Sequence, residues 1–179
     1  MRNIELKAHC ADLAGAEEVC RRIGASFSWT RRQEDDYFAV PQGRLKLRIE
    51  EPGGATLVSY QRADLPAARD CAYELTPVAD PAMTLAELEA RHGIRTRVEK
   101  IRTLYMLGNV RIHLDRVTGM GTFIEFEAVL GPDLGERQAR AALRSLMGAF
   151  GIAASDIESG SYSDLQGQSP PAGASRPVS

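Results

Sequence analysis

Cysteine is scarce in this 179-residue chain: Cys10, Cys20 and Cys71 are its only three, with no Cys-x-x-Cys pair. An odd, scattered set excludes a disulfide framework and a Cys-based zinc site, and reads as reduced thiols of a cytoplasmic protein. Histidine is equally thin: His9, His92 and His113 stand at no metal-ligand spacing. No run of 18 apolar residues is present, so nothing in the sequence is expected to span a membrane. Residues 1–7 lack the apolar stretch of a signal peptide. Neither Gly-x-x-x-x-Gly-Lys nor Gly-x-Gly-x-x-Gly occurs, which removes the commonest nucleotide-binding folds. With 22 Lys+Arg against 24 Asp+Glu the net charge is −2, so the cationic footprint expected for nucleic acid is missing. Any anion site must come from how the charges are arranged.

What is present is a globular composition, 44% apolar and 26% charged, at a length that suits one domain. The end of the chain, Ser169-Pro170-Pro171-Ala172-Gly173 onward, is small, polar and Pro-rich and cannot bury apolar area. One domain over residues 1–166 and a disordered tail over 167–179 are therefore expected.

Three helices are predicted. The first spans 13–23, with Asp12 as N-cap and Leu13, Ala16, Val19, Cys20 and Ile23 on one face. The second begins at Thr84, whose spacing to Glu87 suits a capping box, and stops at Gly93. The third spans 136–150, with Ala139, Leu143, Leu146, Met147 and Phe150 at helical spacing and Gly151 as its stop. Alternating segments predict strands near 3–10, 27–32, 35–40, 44–50, 56–62, 72–78, 96–107, 110–117 and 122–130. Many such strands with few helices imply an α+β fold whose sheet is curled or closed.

Side chains alternate across a strand, so its two faces can be read separately. Ile4, Leu6 and Ala8 oppose Glu5 and Lys7; Leu45, Leu47 and Ile49 oppose Arg44, Lys46, Arg48 and Glu50. Lys100 and Arg102 share a face, as do Arg111, His113 and Asp115, and as do Glu125 and Glu127, while Arg62 ends another strand beside Tyr60. The polar faces carry eight cations and five carboxylates, in a chain that is net negative. For any single strand the ordinary reading is one face on the core and one in water. The sorting by sign points elsewhere, because like charges side by side repel unless counter-ions sit between them. If the sheet closes with its charged face inward, it becomes a tunnel with Lys and Arg along it and a carboxylate patch. That is equipment for a polyanion chelated by Mg²⁺ or Mn²⁺.

At this point the chain resembles the CYTH family of triphosphate tunnel metalloenzymes, which includes class IV adenylate cyclases and thiamine triphosphatases. The marks are Glu5-Leu6-Lys7, Asp35-Asp36-Tyr37-Phe38, Gly43-Arg44-Leu45-Lys46-Leu47-Arg48 and Ser59-Tyr60-Gln61-Arg62, followed by Val98-Glu99-Lys100-Ile101-Arg102. His113-Leu114-Asp115 through Gly119-Met120-Gly121, Phe123-Ile124-Glu125-Phe126-Glu127 and Ser161-Tyr162-Ser163-Asp164-Leu165 complete the set, in the family's order. The resemblance implies a closed eight-stranded antiparallel β-barrel with helices packed outside, and a small-molecule triphosphate substrate bound with one or two divalent metals. It implies Glu5, Glu125 and Glu127 as metal ligands, with Asp115 as a further ligand or the proton acceptor. It implies Lys7, Lys46, Arg48, Arg62, Lys100 and Arg102 around the phosphates, Arg111 as a weaker candidate, and Lys100, Arg102 and Asp115 as the catalytic group. A homodimer is left open; nucleic acid and membrane are not expected as partners. The closest likeness is to the cyclases, which convert ATP to cyclic AMP and pyrophosphate; a triphosphatase is the alternative, and a non-catalytic nucleotide- or polyphosphate-binding module the second.

One departure stands out. The family motif Glu-x-Glu-x-Lys has Asn3 at its first acidic position, and an amide oxygen ligates a hard cation without adding charge. His113 reads as a structural histidine, Trp29 as packing, Tyr60 as barrel wall or ligand contact, and Glu74 as tunnel mouth or solvent. Arg31-Arg32 and Glu34-Asp35-Asp36 read as a solvated turn.

Overall fold

A computed structural model describes residues 1–62 and 67–168; of Arg62, Gly167 and Gln168 it describes the backbone alone. The strands are β1 (Arg2–His9), β2 (Ser26–Phe38), β3 (Arg44–Glu51), β4 (Ala55–Arg62), β5 (Arg69–Val78), β6 (Ile94–Leu107), β7 (Val110–Val117), β8 (Gly121–Val129) and β9 (Ile157–Glu158). The helices are α1 (Leu13–Arg22), α2 (Pro81–His92), α3 (Glu136–Phe150) and α4 (Tyr162–Gln168).

The sheet runs β5-β4-β3-β2-β6-β7-β8-β1, and β5 pairs back onto β1, so eight antiparallel strands close into a barrel. β1 sits at the seam. Its first half pairs with β5, with Asn3 opposite Cys71 and Glu5 opposite Arg69, and the same edge further on takes β9 at Lys7 and Ala8. Its other edge meets β8, with Glu5 opposite Glu127 and Lys7 opposite Glu125.

The direction of closure follows from where the helices pack. Ile4 and Leu6 of β1, Ile112 and Leu114 of β7, and Ile124 and Phe126 of β8 form one buried cluster with Ala16 and Cys20 of α1 and Leu143 and Leu146 of α3. Each such aliphatic or aromatic side chain gains about 1.5–3 kcal/mol on full burial. Alternation then leaves their polar neighbours only the barrel interior. On the opposite wall Phe38, Leu47 and Ala55 pack with Leu85 and Leu88 of α2. A third cluster lies inside the barrel. Tyr37, Val98, Val117 and Phe123 share the inner face with the charged residues two positions along, and Tyr162 of α4 packs onto them.

α1 starts at Asp12, whose side chain accepts from Gly15 N at 2.9 Å, and α3 ends at Gly151 in the left-handed conformation, φ 66°. Gly43 also has a positive φ, 67°, and a Cβ there would lie 3.0 Å from the Tyr60 carbonyl oxygen, so the turn into β3 calls for glycine.

Three sequence expectations need correction. The segments 27–32 and 35–40 are one continuous strand, β2, because β6 pairs along its whole length with a register shift between Phe27 and Trp29. α2 begins one turn before Thr84: Asp80 accepts from Met83 N at 2.9 Å and Pro81 fits the first helical turn, where no backbone donor is needed. β5 begins at Arg69 rather than 72. β9 and α4 were not foreseen. Of the expected tail, Gly167 and Gln168 close α4, and residues 169–179 lie outside the described residues.

Candidate active site in the barrel

The barrel encloses a cavity of about 360 Å³ to which all eight of its strands contribute. Three groups of side chains build it.

The first is centred on Asp35. This carboxylate is fully buried, and its Oδ1 accepts from Arg48 Nε at 2.7 Å, while its Oδ2 accepts from Arg48 Nη2 at 3.0 Å. Oδ2 also accepts from Lys46 Nζ at 3.0 Å and Lys100 Nζ at 2.6 Å. One negative charge is shared among three buried or half-buried cations. Burial alone would raise the Asp35 carboxyl, but Arg48, Lys100 and Lys46 outweigh it and hold it well below the usual range. The lysines show the opposite strain. Burial, joined by repulsion from Arg48 and Arg102 and opposed by Asp35, brings Lys100 down to about 8. Burial and Arg48 push Lys46 well below its ordinary value. The cluster is short of negative charge, which is the condition of a site built for an anion.

The second group is centred on Arg102. Its guanidinium forks onto Asp115, Nε to Oδ1 at 2.7 Å and Nη2 to Oδ2 at 2.6 Å, and Nη2 reaches Glu125 Oε2 at 2.8 Å. Tyr162 Oη donates to Asp115 Oδ2 at 2.5 Å. Burial favours the neutral acid, yet Arg102 lowers the Asp115 carboxyl below its usual value. The Tyr162 hydroxyl is raised by burial and by the Asp115 charge. Lys7 lies 3.2 Å from Glu125 Oε1, with its Nζ 3.7 Å above the Tyr162 ring.

The third group is acidic. One ligand atom each of His113, Glu125 and Glu127 falls within 4.8 Å of the others. His113 Nδ1 stands 3.5 Å from Glu125 Oε2 and 3.7 Å from Glu127 Oε1. Glu5 lies beside Glu127 in register and accepts from Arg69 Nε at 3.2 Å; Arg69 Nη1 is held in turn by the carbonyls of Glu158 and Ser159 at 3.0 and 2.8 Å. Arg111 reaches Glu127 at 3.3 Å. The Asn3 Oδ1 is buried and has no hydrogen-bond partner among the described residues. Carboxylates, an imidazole and an unpaired amide oxygen are a donor set that fits a hard or borderline divalent cation.

The structure thus brings Glu5, Lys7, Lys46, Arg48, Lys100, Arg102, Arg111, Glu125 and Glu127 to one cavity wall or another. Arg62 ends β4, and its side chain lies outside the described residues. Asp115 is fully buried and is not among the lining residues; one of its oxygens is taken by Arg102 and the other by both Arg102 and Tyr162. One correction falls on Asp35, since the expected solvated turn is a buried strand segment. Trp29 lines the cavity rather than serving only as packing, and His113 lines it as well. Arg69 and Tyr162 were missed as site residues; Tyr162 stood in a quoted motif, whereas Arg69 carried no signal.

With this geometry in hand, comparison with known proteins is direct. The chain belongs to the CYTH domain family, whose pattern matches residues 1–162. Over 175 residues it is 23% identical to a protein of Methanocaldococcus jannaschii named "putative adenylate cyclase", covering 93% of this chain and 99% of that one. Among solved structures it is similar to a Pyrococcus horikoshii protein, with a TM-score of 0.82, 24% identity, and coverage of 91% and 98% of the two chains. It is also similar to a Vibrio parahaemolyticus protein described as a "putative adenylate cyclase", with a TM-score of 0.78, 22% identity, and coverage of 92% and 97%. These two likenesses establish the shared fold.

Proposed function

We propose that this chain is a divalent-metal-dependent enzyme that takes a nucleoside triphosphate into the barrel and converts ATP to cyclic AMP and pyrophosphate. The observation that carries the reading is Asp35 shared by Lys46, Arg48 and Lys100, an excess of buried positive charge facing the same cavity as Glu5, Glu125 and Glu127. Family membership supports the triphosphate, and the names borne by the relatives favour the cyclase.

In this reading Lys46, Arg48 and Lys100 grip phosphate oxygens, and Arg102, aimed by Asp115, supplies a planar fork. Lys7, seated on Tyr162, adds a point charge. Glu5, Glu125 and Glu127, with His113 and Asn3, would hold the cation, which supplies further neutralisation of the phosphate charge when bound. In cyclisation the ribose 3′-oxygen forms a bond to the α-phosphorus, the bond to the pyrophosphate oxygen breaks, and the 3′-hydroxyl proton is lost. The cations contribute by fixing the phosphates in line and by matching the charge that grows on the leaving pyrophosphate.

Chromatography of the products from ATP, thiamine triphosphate and tripolyphosphate, each with Mg²⁺ or Mn²⁺, tests this. Cyclic AMP with pyrophosphate is expected. ADP with phosphate as the only products would replace the cyclase with a triphosphatase. No turnover of any substrate would leave a binding module.

A further inference from the structure

The lining of the cavity is lopsided. Every charged group described in it comes from β1, β3, β6, β7 or β8, whereas the β4–β5 pair contributes Val58, Tyr60, Cys71, Tyr73 and Leu75. In register, Val58 pairs with Leu75 and Tyr60 with Tyr73, so these four form one continuous uncharged patch. Trp29 and Leu104, register partners on β2 and β6, add a second apolar pair to the lining. A chain of phosphates has no use for such a surface.

Two polar atoms of the same lining are also unspent. Gln33 is 1% exposed and donates its Nε2 to Glu50 Oε1 at 2.5 Å. Because a carboxylate only accepts, this bond fixes the amide's orientation and leaves Gln33 Oε1 as a buried acceptor, with no partner among the described residues. The Tyr73 hydroxyl is likewise buried and without a hydrogen-bond partner there. A buried polar atom left unpaired is destabilising, so two of them on the walls of one cavity call for a common ligand.

We infer that the β4–β5 wall, with Trp29 and Leu104, seats the organic half of the triphosphate. That half is a nucleoside whose aromatic heterocycle lies on Val58, Tyr73 and Leu75, and which gives a hydrogen bond to Gln33 Oε1 and exchanges one with Tyr73 Oη. The donor to Gln33 is a base amine or a ribose hydroxyl. The inference rests on the triphosphate reading above and adds which residues tell an organic triphosphate from bare tripolyphosphate. Discrimination of this type comes from polar groups left unpaired by the wrong ligand.

The test is equilibrium titration of tripolyphosphate, ATP and purine riboside triphosphate at low temperature with Mg²⁺, chromatography confirming that each ligand is recovered intact. Wild type is expected to bind ATP more tightly than tripolyphosphate. Tyr73→Phe should weaken ATP about 3- to 10-fold, the worth of one hydrogen bond, and leave tripolyphosphate unchanged. Trp29→Ala, at a ring that is only part-buried, should move the two ligands apart in the same way. Purine riboside triphosphate, which lacks the amine, assigns the Gln33 donor to the base if it binds more weakly than ATP and to the ribose if it binds equally. Equal binding of ATP and tripolyphosphate by wild type, or equal losses for both in the two variants, would overturn the inference while leaving the triphosphate site in place. Failure of tripolyphosphate itself to bind would remove both.

Discussion

Lys100 donates to Asp35 across 2.6 Å, and among the described residues that carboxylate is the one hydrogen-bonded to Lys100, Lys46 and Arg48 alike. Their mutual repulsion is therefore only partly offset.

The first consequence concerns stability. Asp35→Asn leaves three cations close together without a counter-charge, and removing one partner from a buried ionic cluster typically costs about 3–5 kcal/mol. Denaturant unfolding should show a loss of that order. Added tripolyphosphate should raise the variant's midpoint more than that of wild type, because the anion replaces the missing charge. A variant as stable as wild type would mean the cluster carries no electrostatic strain.

The second concerns pH. With Lys100 lowered to about 8, its cationic form dominates below that pH and is lost above it. An anionic ligand prefers the cation, so binding takes up a proton on the alkaline side. Affinity for tripolyphosphate, measured calorimetrically and referred to the fully ionised ligand, should fall as the pH rises through about 8, by up to about tenfold per unit for this one group. Lys100→Arg should flatten that fall, since a guanidinium keeps its proton throughout. A fall of the same slope in the variant would assign the titration to another group.

The third separates metal from phosphate contacts. Glu125→Gln keeps the shape and removes a charge the cation needs, so activity should drop steeply and partly return at high Mn²⁺. Arg102→Ala removes a positioned fork; losing one such donor commonly costs about 10²–10³ in rate, and extra metal should not restore it. Steady-state kinetics over a Mn²⁺ series read both. Identical metal responses in the two variants would contradict the division of roles.

The fourth uses the odd residue of the acidic group. Asn3 Oδ1 is buried and unpaired among the described residues, and Asn3→Glu places a carboxylate there. Mn²⁺ affinity, followed by paramagnetic resonance, should tighten. An unchanged affinity would place the cation away from Asn3.

Much of this arrangement was legible in the sequence because a strand repeats every two residues. Lys46 with Arg48, Lys100 with Arg102, and Glu125 with Glu127 each declare a shared face, and the apolar residues between them declare the other. What closed the argument in space was not legible. Asp35 looks like part of a solvated acidic run until Lys46, Arg48 and Lys100 arrive from 11, 13 and 65 residues away. Arg69 begins β5 in a stretch without alternation, and its partner Glu5 lies 64 residues distant across the barrel seam. β9 has two residues, too few for any period to show. Asp115 alternates correctly onto the charged face, yet Arg102 and the Tyr162 hydroxyl from α4 occupy both its oxygens, a fact no spacing carries.

The most direct test of the charged barrel as a metal–triphosphate site is an anomalous difference map from crystals grown with Mn²⁺ and tripolyphosphate. The proposed chemistry predicts a Mn²⁺ peak among Glu5, Glu125 and Glu127, with phosphate oxygens against Lys46, Arg48, Lys100 and Arg102. A Mn²⁺ peak outside the barrel, or phosphates bound away from those four cations, would contradict it.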